Sequence, residues 1–232
     1  MDHEQTEPGH ESPFNPVPPV VVALFLVIIG IEMIFVLGTK GMVGGPSAVG
    51  WRLAALQKYA FAPDILDWMM QTGNWPFEHV QRFVTYLFVH GNFTHALFAG
   101  AMILAIGKMV GEAFSALATI CFFLCAGIGG AFAYTLILDN PTPLIGAFPG
   151  VYGLIGAFTF VLWTRLGEMG ENQARAFSLI GVLIVVQLLF GVIFGGNGDW
   201  VADVAGFVVG FFMSFVLVPG GWAKIRARIR HD

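Results

Sequence analysis

The chain has 232 residues, of which 56% are hydrophobic and only 11% charged, with a mean hydropathy of +0.76; a soluble domain carries about 25% charged residues, so the composition is that of a membrane protein. A net charge of −4 and an isoelectric point near 5.8 exclude a nucleic-acid partner, because phosphate would find little positive surface to bind. The two cysteines, Cys121 and Cys125, stand four residues apart inside an apolar run, which excludes a disulfide scaffold and reads as packing thiols rather than a redox pair or a metal site.

In chain order, residues 1–18 form a short leader holding Asp2, Glu4, Glu7 and Glu11 and no Lys or Arg, the reverse of a cleavable signal. Its end, Ser12-Pro-Phe-Asn-Pro-Val-Pro-Pro19, is too rich in proline for a helix and reads as an extended approach to the membrane. Six nearly uncharged stretches of roughly 20 residues, each long enough to cross a bilayer, follow. They run from Pro19 to Leu37, Phe83 to Gly107, Ala113 to Leu138, Phe148 to Thr164, Ala176 to Gly195 and Trp200 to Val218. The first carries one charge, Glu32, and the last carries Asp203. Together they define a membrane domain over 19–220, with a basic tail at 221–232. Most connections are short, but the loop from Thr39 to Arg82 is 44 residues long. Its Trp51–Tyr59 and Asp64–Met70 segments mix rings, aliphatics and charges at helical spacing, a pattern that lies in the membrane interface.

Lys and Arg are retained on the cytoplasmic side of membranes. Lys108, Arg165, Arg175, Lys224, Arg226, Arg228 and Arg230 make 7 on the side of the termini, against 4 on the other, Lys40, Arg52, Lys58 and Arg82. Both termini are therefore expected in the cytoplasm, with the tail against lipid headgroups. Polar residues inside spans face the bundle, because hydrocarbon penalises them. His90 and His95, five apart, stand about 140° apart on a helix, and this argues against a metal pair, which needs i,i+4. No metal and no cofactor is expected. Asp203 shares a stripe with Gly206 and Gly210 at i+3 and i+7, where small residues let helices approach closely. Phe148 and Tyr152 share a face of the fourth span, with Pro149 in its first turn.

These residues carry a family resemblance. Gly146-Ala-Phe-Pro-Gly-Val-Tyr-Gly-Leu-Ile-Gly-Ala-Phe158 resembles the fourth-span motif of rhomboid intramembrane proteases, Gly-Ala-Ser-Gly, an aromatic, then Gly-Leu-(Leu/Ile)-Gly-Ala-Phe. Arg82-Phe-Val-Thr85, Phe88-Val-His90 and His95 resemble the second-span region, in which a Trp-Arg pair precedes two histidines and an asparagine. Trp200-Val-Ala-Asp-Val-Ala-Gly-Phe207 with Gly210 resembles the sixth-span Ala-His-x-Gly-Gly-Phe-x-x-Gly. The resemblance covers residues 18 to 220 and implies an all-α membrane protein, a six-transmembrane-helix bundle of the basic bacterial kind, in a bacterial inner membrane. It also implies helix packing through Gly153, Gly156, Gly206 and Gly210.

The departures bear on function. The family works with a Ser-His dyad, a nucleophile and its base. Phe148 stands at the serine position and Asp203 at the histidine position. Of the oxyanion-hole positions, His95 matches, but Ala99 replaces the asparagine; Gln81 replaces the tryptophan beside Arg82. The resemblance further implies that His90, His95, Tyr152 and Asp203 meet in one cavity open to the non-cytoplasmic side, as a structural polar cluster, with Phe148 filling the nucleophile's place. The reading is a pseudoprotease in contact with membrane lipids that binds transmembrane client proteins. The alternatives are an active intramembrane serine endopeptidase with non-standard residues, and a proton-coupled carrier using Glu32 and Asp203.

Overall fold

The computed structural model describes residues 16–138, 140–194 and 198–218; the acidic part of the leader and the basic tail from Lys224 to Arg230 lie outside them. Ten helices follow in order: α1 Pro19–Thr39, α2 Trp51–Tyr59, α3 Pro63–Thr72, α4 Phe77–Val80, α5 Arg82–Thr85, α6 Phe93–Ala113, α7 Ala116–Ile137, α8 Phe148–Glu168, α9 Ser178–Phe194 and α10 Trp200–Leu217. Six of these, α1, α6, α7, α8, α9 and α10, are long and apolar enough to cross a membrane. The strand-type pairing among the described residues is a single antiparallel bridge between Phe61 and Leu144.

Helix starts follow local chemistry. Pro18 and Pro19 open α1, where a missing N–H costs no bond. The Asn92 side chain accepts from the His95 N–H at 2.9 Å and caps α6, and Ser115 caps α7 through the Ala118 N–H at 3.2 Å; both remove an orphan donor from a first turn. The second span consequently starts later than the apolar run beginning at Phe83 suggests. Arg82–Thr85 is a short helix and Tyr86–Phe88 a 3-10 turn, and the chain then runs extended through Val89 before Asn92 restarts it. His90 therefore lies ahead of the spanning helix, and the 140° separation from His95 does not apply.

α8 is the central helix, buried without interruption from Pro149 to Ala157, against α7, α10 and α6. Its contact with α10 is backbone on backbone. A Cβ on Gly206 would overlap the Pro149 carbonyl, one on Gly210 the Gly153 carbonyl, and one on Gly156 the Phe207 carbonyl. Glycine is what permits two helices to close to this distance, as small residues do in membrane packing generally. α1 packs on α6 at the far edge of the bundle. α9 is different: Val182, Val185, Leu189, Val192 and Ile193 are all exposed, so it presents most of its apolar surface outward.

The long first loop folds back onto the bundle. Arg82 donates from Nη1 to the Ala60 carbonyl at 3.0 Å, and the Thr85 hydroxyl donates to the Tyr59 carbonyl at 3.0 Å, so the end of α2 is fixed to α5. Trp68, Met70, Trp75 and Phe77 stay exposed, as befits a segment with its rings at headgroup level.

Candidate functional site

The site is built where the α7–α8 connection meets the start of α6. The Phe61–Leu144 bridge holds that connection from one side, with N–H···O distances of 3.1 and 2.8 Å. Next the Gly146 N–H donates to the Tyr86 carbonyl at 2.9 Å, and the Ala147 N–H donates to Nε2 of His90 at 3.2 Å. Gly146 has φ +93°, a conformation open to glycine and strained for other residues. A Cβ there would also sit 2.6 Å from Cε1 of His95. These restraints fix Phe148 as the first residue of α8.

His90 is almost fully buried and lies outside the spanning helices. Burial pushes its pKa down to about 3, His95 and Arg52 push the same way, and the nearby Phe88 backbone opposes them. It is therefore a neutral imidazole, and accepting the Ala147 N–H requires that Nε2 carry no proton. The His95 ring stands edge-on to His90, centroids 5.0 Å apart, and lies nearly parallel to the Phe148 ring at 5.3 Å and 17°. Phe148 thus covers one face of His95.

Beneath this stack is a cavity of about 470 Å³ bordered by Tyr86, His95, Phe148, Tyr152, Gln187 and Asp203 among others, with exposed Asp199 at its edge. The Tyr152 hydroxyl donates to Oε1 of Gln187 at 3.0 Å, and Nε2 of Gln187 donates to Oδ2 of Asp203 at 2.6 Å. Asp203 is 3% exposed. The structure therefore brings Tyr152 and Asp203 together through a third residue on α9, whereas His95 lines the same cavity but is engaged with Phe148 and His90. Ala99 is fully buried one turn further along α6 and offers only a methyl group.

Three participants escape a reading of the sequence. Gln187 is an amide inside an apolar α9, and its cost in hydrocarbon was the available signal. Asp199 sits in the short turn before α10, where a charge raises no question. Arg52, in the long loop, is the partner of Glu32. Its Nη2 lies 2.6 Å from Oε1 and its Nη1 2.8 Å from Oε2, while Nη1 also donates to the His90 carbonyl at 2.9 Å. Glu32 is 1% exposed, and the guanidinium lies 5.3 Å from the centre of the Phe35 ring. This pair ties α1, α2 and the His90 segment together.

Chemically, no serine, threonine or cysteine lines the cavity among the described residues. Of the two phenols there, Tyr86 donates to the Gly127 carbonyl at 2.8 Å, and burial, with Asp203 adding to it, holds its pKa well above the usual value. Neither phenol is activated as a nucleophile. Among the described residues no three His, Cys, Asp or Glu side chains are placed to hold a metal ion.

A family model described as the Rhomboid domain matches residues 78–220. The chain is 28% identical over 138 residues to RHOMBOID-like protein 5 of Arabidopsis thaliana, covering 59% of this chain and 44% of that protein. It is also 28% identical over 151 residues to RHOMBOID-like protein 4 of the same plant, covering 62% of this chain and 36% of that protein. The chain thus spans less than half the length of either relative. With a family model covering more than half of its length, and six membrane helices in an all-α bundle around the matched segments, the chain is an integral multi-pass membrane protein that belongs to the rhomboid family.

Proposed function

We propose that this protein is a pseudoprotease, a rhomboid-fold protein that binds transmembrane clients without cutting them. The observation that carries the reading is the side chain at the start of α8. Phe148, where the family has its serine, lies against His95, and among the described residues the cavity below it is lined by no hydroxyl or thiol other than the two phenols. Peptide hydrolysis by this fold needs a nucleophile and a base in hydrogen-bond reach. Asp203, at the base position, is instead occupied by Gln187, so the cluster of Tyr152, Gln187 and Asp203 holds three helices in place. Ala99 offers no donor for an oxyanion. Binding in place of cleavage is analogy at the level of fold, supported here by an apolar cavity and by the outward-facing α9 beside it. The 7-to-4 distribution of Lys and Arg supports cytoplasmic termini. The carrier reading loses support because Glu32 is committed to Arg52.

The test is cleavage of a fluorogenic transmembrane-helix substrate by the purified protein in liposomes, beside an authentic rhomboid. The expected outcome is no cleavage above the empty-liposome rate, for the natural chain and for Phe148→Ser alike, since a serine there would still lack its base. Photocrosslinkers at Leu183 and Val186 should capture an uncut transmembrane segment. Cleavage that disappears in Asp203→Ala overturns the reading.

A further inference from the structure

A second concavity, of about 460 Å³, runs between α1, α2 and the chain leading to His90. Its walls are Val27, Ile31 and Phe35 of α1, Ala55 and Tyr59 of α2, and the Thr85–Val89 segment. The Thr85 hydroxyl is turned away, donating to the Tyr59 carbonyl, so the walls are apolar. A smaller adjoining hollow of about 250 Å³ shares Phe35, Ala55 and Tyr59 and adds Trp51 and Lys58. Lys58 is exposed and lies 5.2 Å from the centre of the Tyr59 ring. It has no ion pair among the described residues, whereas neighbouring Arg52 is neutralised by Glu32.

We propose that this cleft holds one phospholipid of the leaflet on the first-loop side, its acyl chain along Val27, Ile31 and Phe35 and its anionic headgroup at Lys58. The dimensions and the chemistry agree on this occupant. From Phe35 to Val27 is eight residues, about 12 Å of helix, which carries the cleft from the loop-side end of α1 most of the way through one leaflet of a hydrocarbon core about 30 Å thick. A chain lying there follows the direction it already has in the bilayer. The mouth carries an indole, a phenol and an ammonium without an acidic partner, the side chains that sit at headgroup level, and the ammonium complements a lipid phosphate. α9 exposes Val182, Val185 and Val192 without an indole, phenol or ammonium beside them, and so serves as the comparison surface. The proposal does not depend on the absence of peptidase chemistry.

The test uses the full chain in nanodiscs with phosphatidylglycerol or phosphatidylcholine of identical acyl chains, one chain carrying a diazirine, and peptide mapping after photolysis. Label should concentrate on the peptides holding Val27–Phe35 and Ala55–Tyr59, with phosphatidylglycerol ahead of phosphatidylcholine by about fivefold. Lys58→Gln should bring that ratio close to one. Ala55→Trp, or Val27→Trp should the first variant fold poorly, should remove label from α1 while leaving α9 labelling and thermal stability unchanged. Label spread evenly over α1 and α9, equal labelling by the two lipids in the natural chain, or a second copy of the protein protecting the cleft would each overturn the proposal.

Discussion

At the scale of single residues, His90 and Glu32 make measurable commitments. His90 sits neutral with its pKa near 3, whereas in an unfolded chain a histidine titrates near about 6.5. Between those values the unfolded chain holds the extra proton, so stability is complete above about pH 6.5 and declines as the pH falls toward about 3. Unfolding by SDS titration across that range should show the decline, and His90→Gln, which keeps an acceptor for the Ala147 N–H, should flatten it. Glu32 and Arg52 form a pair with one partner fully buried and the other 21% exposed. Removing one member of such a pair leaves an uncompensated charge, so Glu32→Gln should cost about 3 kcal/mol. Glu32→Leu with Arg52→Met should cost less than either change alone in a double-mutant cycle read by the same titration.

At the scale of elements, the α8–α10 contact has the least tolerance. Gly210→Ala places a methyl group into the Gly153 carbonyl, which no rotamer change relieves, and should destabilise by about 1–3 kcal/mol. Gly30→Ala in α1, where a Cβ meets nothing within 4 Å, should not. Thermal melting of both in one detergent checks the contrast. The six spans were legible in the sequence because an almost uncharged stretch of about 20 residues matches the thickness of the hydrocarbon core and exceeds what a buried helix of a soluble domain needs. The start of α6 was not, because the apolar run from Phe83 continues through Val89 and conceals the cap at Asn92. The cavity was legible only through the resemblance, which put Phe148, His95, Tyr152 and Asp203 in one neighbourhood. Gln187 and Arg52 were missed because each acts across a sequence gap, 16 residues to Asp203 and 20 to Glu32, that no local pattern spans.

Across the whole molecule the packing is uneven. α7, α8 and α10 form a close-set unit and α1 with α6 another, while α9 touches its neighbours less, through Leu179, Ile180, Leu183 and Ile184 and the hydrogen bonds of Gln187. Regions with few buried contacts open most readily. Amide exchange in nanodiscs should therefore be faster in α9 than in α8, and Gln187→Leu should widen the difference; an α9 whose exchange does not respond to that substitution would show that apolar contacts alone hold it.

The same unevenness governs the order in which the chain can be assembled. The groove of α8 around Gly153 and Gly156 is completed only by α10, whose last residue, Leu217, is synthesised 49 residues after Glu168. At about 5–20 residues per second on the ribosome, that groove stays uncovered for an interval on the order of seconds while α9 enters the membrane first and offers it little. The nascent protein therefore passes through a five-helix stage with its most intimate docking surface bare, and whatever escorts membrane helices during biogenesis would meet this face of α8 before α10 covers it.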